Sequence, residues 1–284
     1  MTMEITPLDA TFGATVRGVT LTDLDDRTFR SLYDTWLQYS LLIFPGQHFD
    51  NDKQIAFARR FGNLEIKLFE FSNVKEDGSM RVSDEDDMVK IMKGNMGWHH
   101  DSTYMPVQAK GAVFRADVAP PQGGETGWAD TSAAYEALDD AMKTRIEGLS
   151  AYHSLIHSQR KVGKETKEKD SEYSGYGLDQ ETPPLRPLVK THPETGRKCL
   201  TIGRHAYGIP GLSEPESQAL LDELADFASR PPRVHHHKWT AGDVVVWDNR
   251  CLMHQACPWD MREPRVMVHT RMAGDPVHEG AAAE

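Results

Sequence analysis

The sequence predicts a mainly β domain, a sandwich or barrel with helices at its periphery, instead of alternating β-α-β units. Many short apolar segments are closed by glycine or proline turns, and only a few segments have the apolar spacing of a helix. In addition, the 284 residues contain no internal repeat and no linker with a clear change of composition. We therefore expect one domain over residues 1–284.

The first elements follow from periodicity and turn residues. Residues 4–21 carry β-branched side chains between glycines, which predicts short strands. From Asp23 the apolar residues follow helical spacing, and the helix should end before the apolar run 41–44. A Pro-Gly turn stops that run, so it predicts a buried strand. A second helix is expected from Asp50 or Asn51, either of which can cap it.

The later elements are strands and helices of the same kind. Residues 111–118 and 244–247 are apolar and predict strands. One helix is predicted to open at Ser132 and to continue through Ile146, and another covers 213–227. Between these elements, residues 158–186 are polar and rich in Gly, Ser and Pro without a periodic pattern. A segment of that length indicates a mobile lid or a disordered excursion, and we expect a lid.

Charge and cysteine content restrict the partners and the compartment. The net charge of −11 argues against a nucleic-acid partner, which would require a concentrated basic face. No apolar run reaches membrane-spanning length, and the N-terminus carries Glu4 and Asp9 instead of a basic and apolar leader. Three cysteines without a CxxC spacing predict free thiols. We expect a cytoplasmic protein with no membrane and no nucleic-acid partner.

The segment Trp98-His99-His100-Asp101, together with the distant His254, is the most informative feature of the chain. Residues i and i+2 of a strand point to one face, so His99 and Asp101 could converge on one ion while His100 faces away. His254 follows an apolar strand and a turn, and is the candidate third ligand. Two imidazoles and one carboxylate would leave positions on Fe(II) open for a cosubstrate and O₂. The alternative is a structural His–Asp pair.

Two other histidine clusters are weaker candidates. His192-Pro193-Glu194 lies in a hairpin-turn sequence, so its His-x-acid spacing is interpreted as accidental. The run 235–237 consists of three histidines, which would alternate between the two faces of a strand and could not all bind one metal ion. We interpret it as a surface strand.

Several segments together resemble the TauD/TfdA family of Fe(II)- and 2-oxoglutarate-dependent dioxygenases. They follow the family's order along nearly the whole chain: Ile5-Thr6-Pro7-Leu8, Leu42-Ile43-Phe44-Pro45-Gly46-Gln47, residues 54–62, Trp98-His99-His100-Asp101, Gly123-Gly124-Glu125-Thr126, Trp247-Asp248-Asn249-Arg250 with His254, and Pro264-Arg265-Val266-Met267. Residues 94–106 and Ile202-Gly203-Arg204-His205 most resemble the aryloxyalkanoate dioxygenases, in particular those that cleave (S)-phenoxypropionate.

The resemblance implies a double-stranded β-helix (jelly-roll) core with flanking helices, and a role for particular residues. His99, Asp101 and His254 would be the iron ligands. Thr126 and Arg265 would bind the distal carboxylate of 2-oxoglutarate, which suits a bidentate guanidinium and a hydroxyl donor. Candidate pocket residues, in addition, are Asn95 and Trp247 for the cosubstrate, and Phe71, Tyr104, His269 and Arg271 for the substrate. Core packing is the alternative for Trp247.

One departure from the family bears on the substrate. Sulfonate-cleaving relatives have an arginine four residues after the position of Arg265, whereas this chain has His269 there and Arg271 two residues further on. A carboxylate substrate is therefore favoured over taurine. With an aryloxypropanoate herbicide, hydroxylation at the ether carbon would give a hemiketal that collapses to a phenol and pyruvate, while 2-oxoglutarate and O₂ yield succinate and CO₂.

Other functions stay open at this stage. The chain could act on taurine, another sulfonate or a different small carboxylate. It could also be a non-catalytic jelly-roll metal binder or a zinc hydrolase with the same ligands, but neither of these has a use for Arg265 and Thr126. Relatives are commonly homo-oligomers, which predicts a homo-oligomer that binds a small anionic substrate.

Overall fold

A computed structural model describes residues 3–161 and 182–281. Most of its strands are short, and those after residue 184 lie in two runs of four that are separated by one helix. The strands are β1 (Glu4–Pro7), β2 (Ala14–Arg17), β3 (Leu41–Phe44), β4 (Leu64–Ser72), β5 (Gly111–Val118), β6 (Thr126–Asp130), β7 (Ser150–His153), β8 (Leu185–Pro187), β9 (Val189–Thr191), β10 (Lys198–Leu200), β11 (Ala206–Tyr207), β12 (Val234–His237), β13 (Val244–Asp248), β14 (Leu252–Ala256) and β15 (Val266–Met272).

The helices lie outside the strands and are mostly capped by acidic side chains. They are α1 (Asp26–Tyr39), α2 (Asn51–Arg59), α3 (Asp87–Gly94), α4 (Thr131–Ala137), α5 (Asp140–Ile146), α6 (Leu155–Lys161), α7 (Glu214–Ala228) and α8 (Pro276–Glu279), with a 3₁₀ turn at Leu21–Asp23. In the part of the chain described here, no helix is both long and apolar enough to cross a lipid bilayer.

Two sheets pack face to face as in a jelly roll. The larger is seven-stranded, in the order β1-β2-β3-β13-β5-β15-β4, and the smaller has the order β12-β6-β14. Trp128 of the smaller sheet meets Trp247 of the larger one, with ring centroids 5.8 Å apart. The predicted mainly β fold with flanking helices is confirmed, and strands β3, β5 and β13 lie where the apolar runs predicted them.

The central strands are apolar on both faces because both faces are covered. In β3, Leu41 and Ile43 pack between the two sheets, whereas Leu42 and Phe44 pack toward α1 and α2. Alternate residues of β13 divide in the same way. A continuous apolar run is the sequence pattern of such a strand. On the far side of the smaller sheet, α4 and α7 cover a separate apolar cluster.

One helix of the sequence-based prediction is wrong, and the ends of another predicted segment have regular structure. The single helix expected from Ser132 to Ile146 is two helices, because Leu138 is extended and the Asp139 carboxylate caps α5 by accepting a hydrogen bond from the Met142 amide. The two ends of the segment expected to form a lid, 158–186, have regular structure, since residues 158–161 belong to α6 and residues 185–186 to β8. Residues 162–181, the bulk of the lid prediction, lie outside the described residues.

Candidate active site

The structure brings His99, Asp101 and His254 together, and their ligand atoms all lie within 4.8 Å of one another. The two histidines form an isolated antiparallel bridge, in which each backbone N–H donates to the other's carbonyl at 2.9 and 2.8 Å. Directly opposed residues of such a pair project to one side, so the imidazoles become neighbours. The expectation that His99 and Asp101 share a strand is wrong. A single bridge at His99 gives way to a turn at Asp101, and Ser102 has φ 58°.

Two of the three candidate ligands, His99 and Asp101, are oriented by other groups. His99 Nδ1 hydrogen-bonds the Gly97 carbonyl at 2.7 Å, which leaves Nε2 for a metal ion. The backbone of Asp101 is held on both sides by the Asn249 amide, at 2.7 and 2.9 Å. Arg271 Nη2 donates to Asp101 Oδ1 at 2.9 Å, whereas Oδ2 is buried and accepts no hydrogen bond from the described residues.

The protonation states suit metal binding. Burial lowers the pKa of His99 and of His254 well below 6.5, so both imidazoles are neutral at pH 7. Burial alone would raise the pKa of Asp101, but the charge of Arg271 holds it below its usual value. Two neutral imidazoles and an ionised carboxylate with a free oxygen match a divalent ion of the Fe(II) type.

A buried guanidinium lies near this cluster. Arg265 is buried, and within residues 3–161 and 182–281 it forms no ion pair with a carboxylate. Its Nε donates to the Gly124 carbonyl at 3.1 Å, and its guanidinium carbon lies 5.0 Å from the centre of the Trp259 ring. Gly124 has φ +69°, and a Cβ there would lie 3.2 Å from Arg265 Nε, so the glycine gives room to the arginine. Burial lowers the pKa of Arg265 to about 10, which leaves it charged at neutral pH.

The Thr126 hydroxyl lines the same cavity and accepts a hydrogen bond from Trp239 Nε1 at 2.9 Å. Because this bond uses an acceptor position of the hydroxyl, its proton remains available to a ligand. Thr126 and Arg265 thus offer donors to an anion, which is the arrangement the resemblance implies.

All sequence-predicted site residues line one cavity that is open to solvent at its mouth. Besides the five residues described above, these are Phe71, Asn95, Tyr104, Trp247, His269 and Arg271. Trp247 is both a wall of the cavity and a core residue, since its ring stacks on that of His269 with an interplanar angle of 4°. Both interpretations of Trp247 therefore apply.

The candidates for holding a substrate anion differ in charge and partners. Burial lowers the pKa of His269 to about 4, so this side chain is neutral at pH 7. Arg271 is paired with Asp101 and donates to Ser102 Oγ at 3.0 Å. Lys90 also lines the cavity, but its Nζ lies 3.0 Å from Glu85 Oε2. None of these three is an uncommitted cation.

Arg204 is a cavity residue to which the sequence analysis gave no role. Arg204 lines the cavity, and in the described part of the chain its guanidinium forms no ion pair with an Asp or Glu. Burial lowers its pKa to about 10, so it keeps its charge at neutral pH. The only signal in the sequence was its place in Ile202-Gly203-Arg204-His205, a segment used for the resemblance.

The two weaker histidine clusters are not among the residues that line the cavity. His192 lies in the turn between β9 and β10, as predicted, and its Nε2 contacts Asp248 Oδ2 at 2.9 Å. With Cys251 these groups have metal-ligand spacing, but Arg250 binds both oxygens of Asp248. The three histidines of the run 235–237 are on β12, as expected for a strand.

Non-haem Fe(II) oxygenases use two histidines and one carboxylate in this way, and the jelly roll with its cavity defines a protein of their class. The family described as "Taurine catabolism dioxygenase TauD, TfdA family" matches residues 4–271. The chain belongs to this family, and it is an enzyme of the 2-oxoglutarate-dependent dioxygenase type.

Individual relatives are similar over nearly their whole length. The (S)-phenoxypropionate/alpha-ketoglutarate-dioxygenase of Sphingobium herbicidovorans is 63% identical, over 99% of this chain and 98% of the relative. The protein of the same name from Delftia acidovorans is 56% identical, with the same coverage. The crystal structure of AAD-2 in complex with Mn(II) and N-oxalylglycine has a TM-score of 0.90 and 35% identity, and each chain covers 100% of the other.

Proposed function

We propose that this protein is an Fe(II)- and 2-oxoglutarate-dependent dioxygenase that cleaves an aryloxyalkanoate of the phenoxypropionate type. The products would be a phenol, a keto acid, succinate and CO₂. The observation that carries the proposal is a pair of guanidinium groups, those of the buried Arg265 and the half-buried Arg204, which have no carboxylate partner among the described residues. They line the same cavity as His99, Asp101 and His254. One cosubstrate dianion and one substrate anion would satisfy both charges. The names of the two relatives at 63% and 56% identity support the choice of substrate.

Arg265 and Thr126 would bind the distal carboxylate of 2-oxoglutarate. A guanidinium offers a planar pair of donors to a carboxylate, and Thr126 adds a hydroxyl whose orientation is set by Trp239. Burial strengthens these bonds, because few water molecules compete for the donors. Neither group has another anion to bind among the described residues, which supports a cosubstrate role for this corner of the cavity.

Fe(II), when held by His99, Asp101 and His254, would supply the activation of O₂. The protein's own contribution is orientation and exclusion of water. Asn249 and Arg271 fix Asp101, and Gly97 fixes His99, so the donor atoms of these two residues need little rearrangement when the ion binds. Trp247, Phe114 and Phe71 give the cavity an apolar wall beside these donors.

Arg204 would hold the substrate carboxylate, since the other cations of the cavity are paired or assigned to the cosubstrate. Phe71 and Tyr104, whose rings also line the cavity, would contact the aryl group. His269 and Arg271 remain candidates for substrate contact as well. Hydroxylation of the carbon that carries the ether oxygen yields a hemiketal, which breaks into a phenol and pyruvate. One atom of O₂ enters the new hydroxyl group and the other enters succinate.

The cellular setting belongs to the same proposal. Three thiols without a disulfide, of which Cys199 and Cys251 are buried, favour a cytoplasmic enzyme. The net charge of −11 argues against a nucleic-acid partner. A homo-oligomer remains a prediction from the family.

The test is a substrate comparison with the purified protein. Fe(II), 2-oxoglutarate and O₂ are supplied with (S)-dichlorprop, (R)-dichlorprop or taurine, and succinate and the phenol are quantified. We expect equimolar succinate and 2,4-dichlorophenol, with (S)-dichlorprop favoured, and no turnover by His99→Ala. Turnover of taurine or another acid without turnover of dichlorprop would overturn the substrate assignment. Full turnover by His99→Ala would overturn the proposed metal centre.

A further inference from the structure

The guanidinium of Arg204 lies directly against a glycine. A Cβ built on Gly94 would be 3.1 Å from Arg204 Nη1 and 3.3 Å from Nη2. A Cβ on Gly97 would meet the stem of the same side chain, at 3.3 Å from Cδ. On another side, Nη2 donates to Ser158 Oγ of helix α6 at 3.4 Å. The charged end of Arg204 is thus placed by two separate segments of the chain.

The backbone itself does not require glycine at position 94. Gly94 is the last residue of α3, and it is absent from the glycines with positive φ in the described residues. At such a position alanine is the better helix former, because glycine loses more conformational freedom on folding. The space occupied by the Arg204 guanidinium is therefore the physical reason for the missing side chain.

Ser158 is the polar partner of the same guanidinium. Its Oγ lies 2.9 Å from His205 Nδ1 and 2.8 Å from the Leu155 carbonyl, so the hydroxyl is anchored from two sides. Ser158 and His205 are both buried. An anchored acceptor beside Nη2 favours one orientation of the guanidinium plane, and bidentate contact with a carboxylate depends on that orientation.

We propose that Gly94 and Ser158 form a seat for the Arg204 guanidinium, and that position 94 is a determinant of selectivity for the substrate anion. This inference rests on the proposed function, in which Arg204 holds the substrate carboxylate. Any side chain at position 94 moves the guanidinium away from α3, since the contacted atoms are the far end of a flexible side chain and yield more easily than backbone. Arg204 is then the group that binds, and Gly94 and Ser158 are positioning residues.

The decisive experiment compares Gly94→Ala, Arg204→Gln and the double variant. For each, KM for (S)-dichlorprop and for 2-oxoglutarate is measured, together with the Tm and the Kd of the acid for the protein loaded with Mn(II) and N-oxalylglycine. For Gly94→Ala we expect an unchanged or higher Tm, a roughly tenfold rise in KM and Kd for the acid, and a KM for 2-oxoglutarate within about twofold. In the Arg204→Gln background, Gly94→Ala should have no further effect on acid binding.

The outcomes separate this inference from the function on which it rests. If Arg204→Gln leaves acid binding unchanged, the assignment of Arg204 to the substrate is wrong. If Arg204→Gln weakens the acid but Gly94→Ala does not, or if the two effects add, the seat is wrong and the substrate assignment stands. Ser158→Ala is the second variant: a severalfold rise in KM for the acid supports the seat, and an unchanged KM removes Ser158 from it.

Discussion

Asn249 is the residue that connects the early ligands to the late part of the chain. Its side chain accepts from the Asp101 amide at 2.7 Å and donates to the carbonyls of Asp101 and Ala109, each at 2.9 Å. Its own carbonyl lies 2.8 Å from His100 Nδ1. His100, which the sequence analysis did not predict to be a ligand, therefore helps to hold Asn249 in place.

Replacing Asn249 by alanine removes three hydrogen bonds at a fully buried position. Buried backbone groups left without partners cost about 1–3 kcal/mol each before relaxation, so we expect a loss of about 3 kcal/mol in the free energy of unfolding. Affinity for Mn(II) should fall as well, because the Asp101 backbone is released. Urea unfolding and calorimetric titration with Mn(II) measure the two effects. Unchanged Mn(II) affinity would contradict the positioning role.

Arg265→Lys tests the cosubstrate site at the level of one side chain. Lysine keeps the charge but loses the planar pair of donors, so we expect about 30-fold weaker binding of 2-oxoglutarate, corresponding to about 2 kcal/mol. The Kd of Mn(II) should stay within about twofold, since Arg265 does not touch the ligands. Titration of the Mn(II)-loaded protein with N-oxalylglycine provides the measurement. Equal affinity in wild type and variant would remove Arg265 from the cosubstrate site.

For individual residues, the sequence predicted the site wherever a motif has a recognisable set of residues. His99, Asp101 and the distant His254 were selected because two imidazoles and a carboxylate form a recognisable donor set, and the structure places them together. The sequence could not identify Arg204 as a site residue, because an arginine is available to an anionic ligand only if no carboxylate of the protein already neutralises it. That depends on contacts between residues far apart in the chain, which a single sequence does not contain.

The elements show why strands were easier to predict than helix boundaries. The runs at β3 and β13 are apolar on both faces because the sandwich covers one face and helices cover the other, so the pattern is continuous and strong. In contrast, the apolar spacing from Ala134 to Ile146 continues across the break between α4 and α5. Periodicity alone could not reveal that a capping carboxylate interrupts the helix.

Asp139→Ala tests this explanation of the break. The Asp139 carboxylate accepts from the Met142 amide at 2.7 Å, and loss of an N-cap of this kind costs about 1 kcal/mol. We expect the free energy of unfolding to fall by about that amount, while KM for 2-oxoglutarate and for the acid is unchanged. Urea unfolding and steady-state assays on the same preparation measure both. Asp140→Ala, one residue further on, is the matched control. An equal effect of the two substitutions would contradict the capping role.

The molecule as a whole buries several neutral histidines, which couples its stability to pH. Burial lowers the pKa of His100 and of His269 to about 4, and it lowers that of His153 well below 6.5. The unfolded chain takes up these protons near pH 6.5, whereas the folded chain does not. The stabilisation is therefore fully present above pH 6.5 and is lost as the pH falls toward the folded values.

We expect the free energy of unfolding to fall by about 3 kcal/mol between pH 7.5 and pH 5.5 from His100 and His269, with a further decrease from His153. Urea unfolding in the presence of a chelator measures this without a contribution from metal release. A free energy that is constant or rises toward pH 5.5 would contradict the burial of neutral imidazoles.

At the same scale, the order of motifs along the chain predicted the jelly roll, and the packing of the two sheets follows that prediction. The most direct measurement of the central claim is a crystal structure of the protein with Mn(II) and N-oxalylglycine, with the metal located by anomalous scattering. We expect one strong peak within bonding distance of His99 Nε2, Asp101 Oδ2 and His254 Nε2, and the ligand's distal carboxylate on Arg265. A peak elsewhere, or one that lacks any of these three ligands, would contradict it.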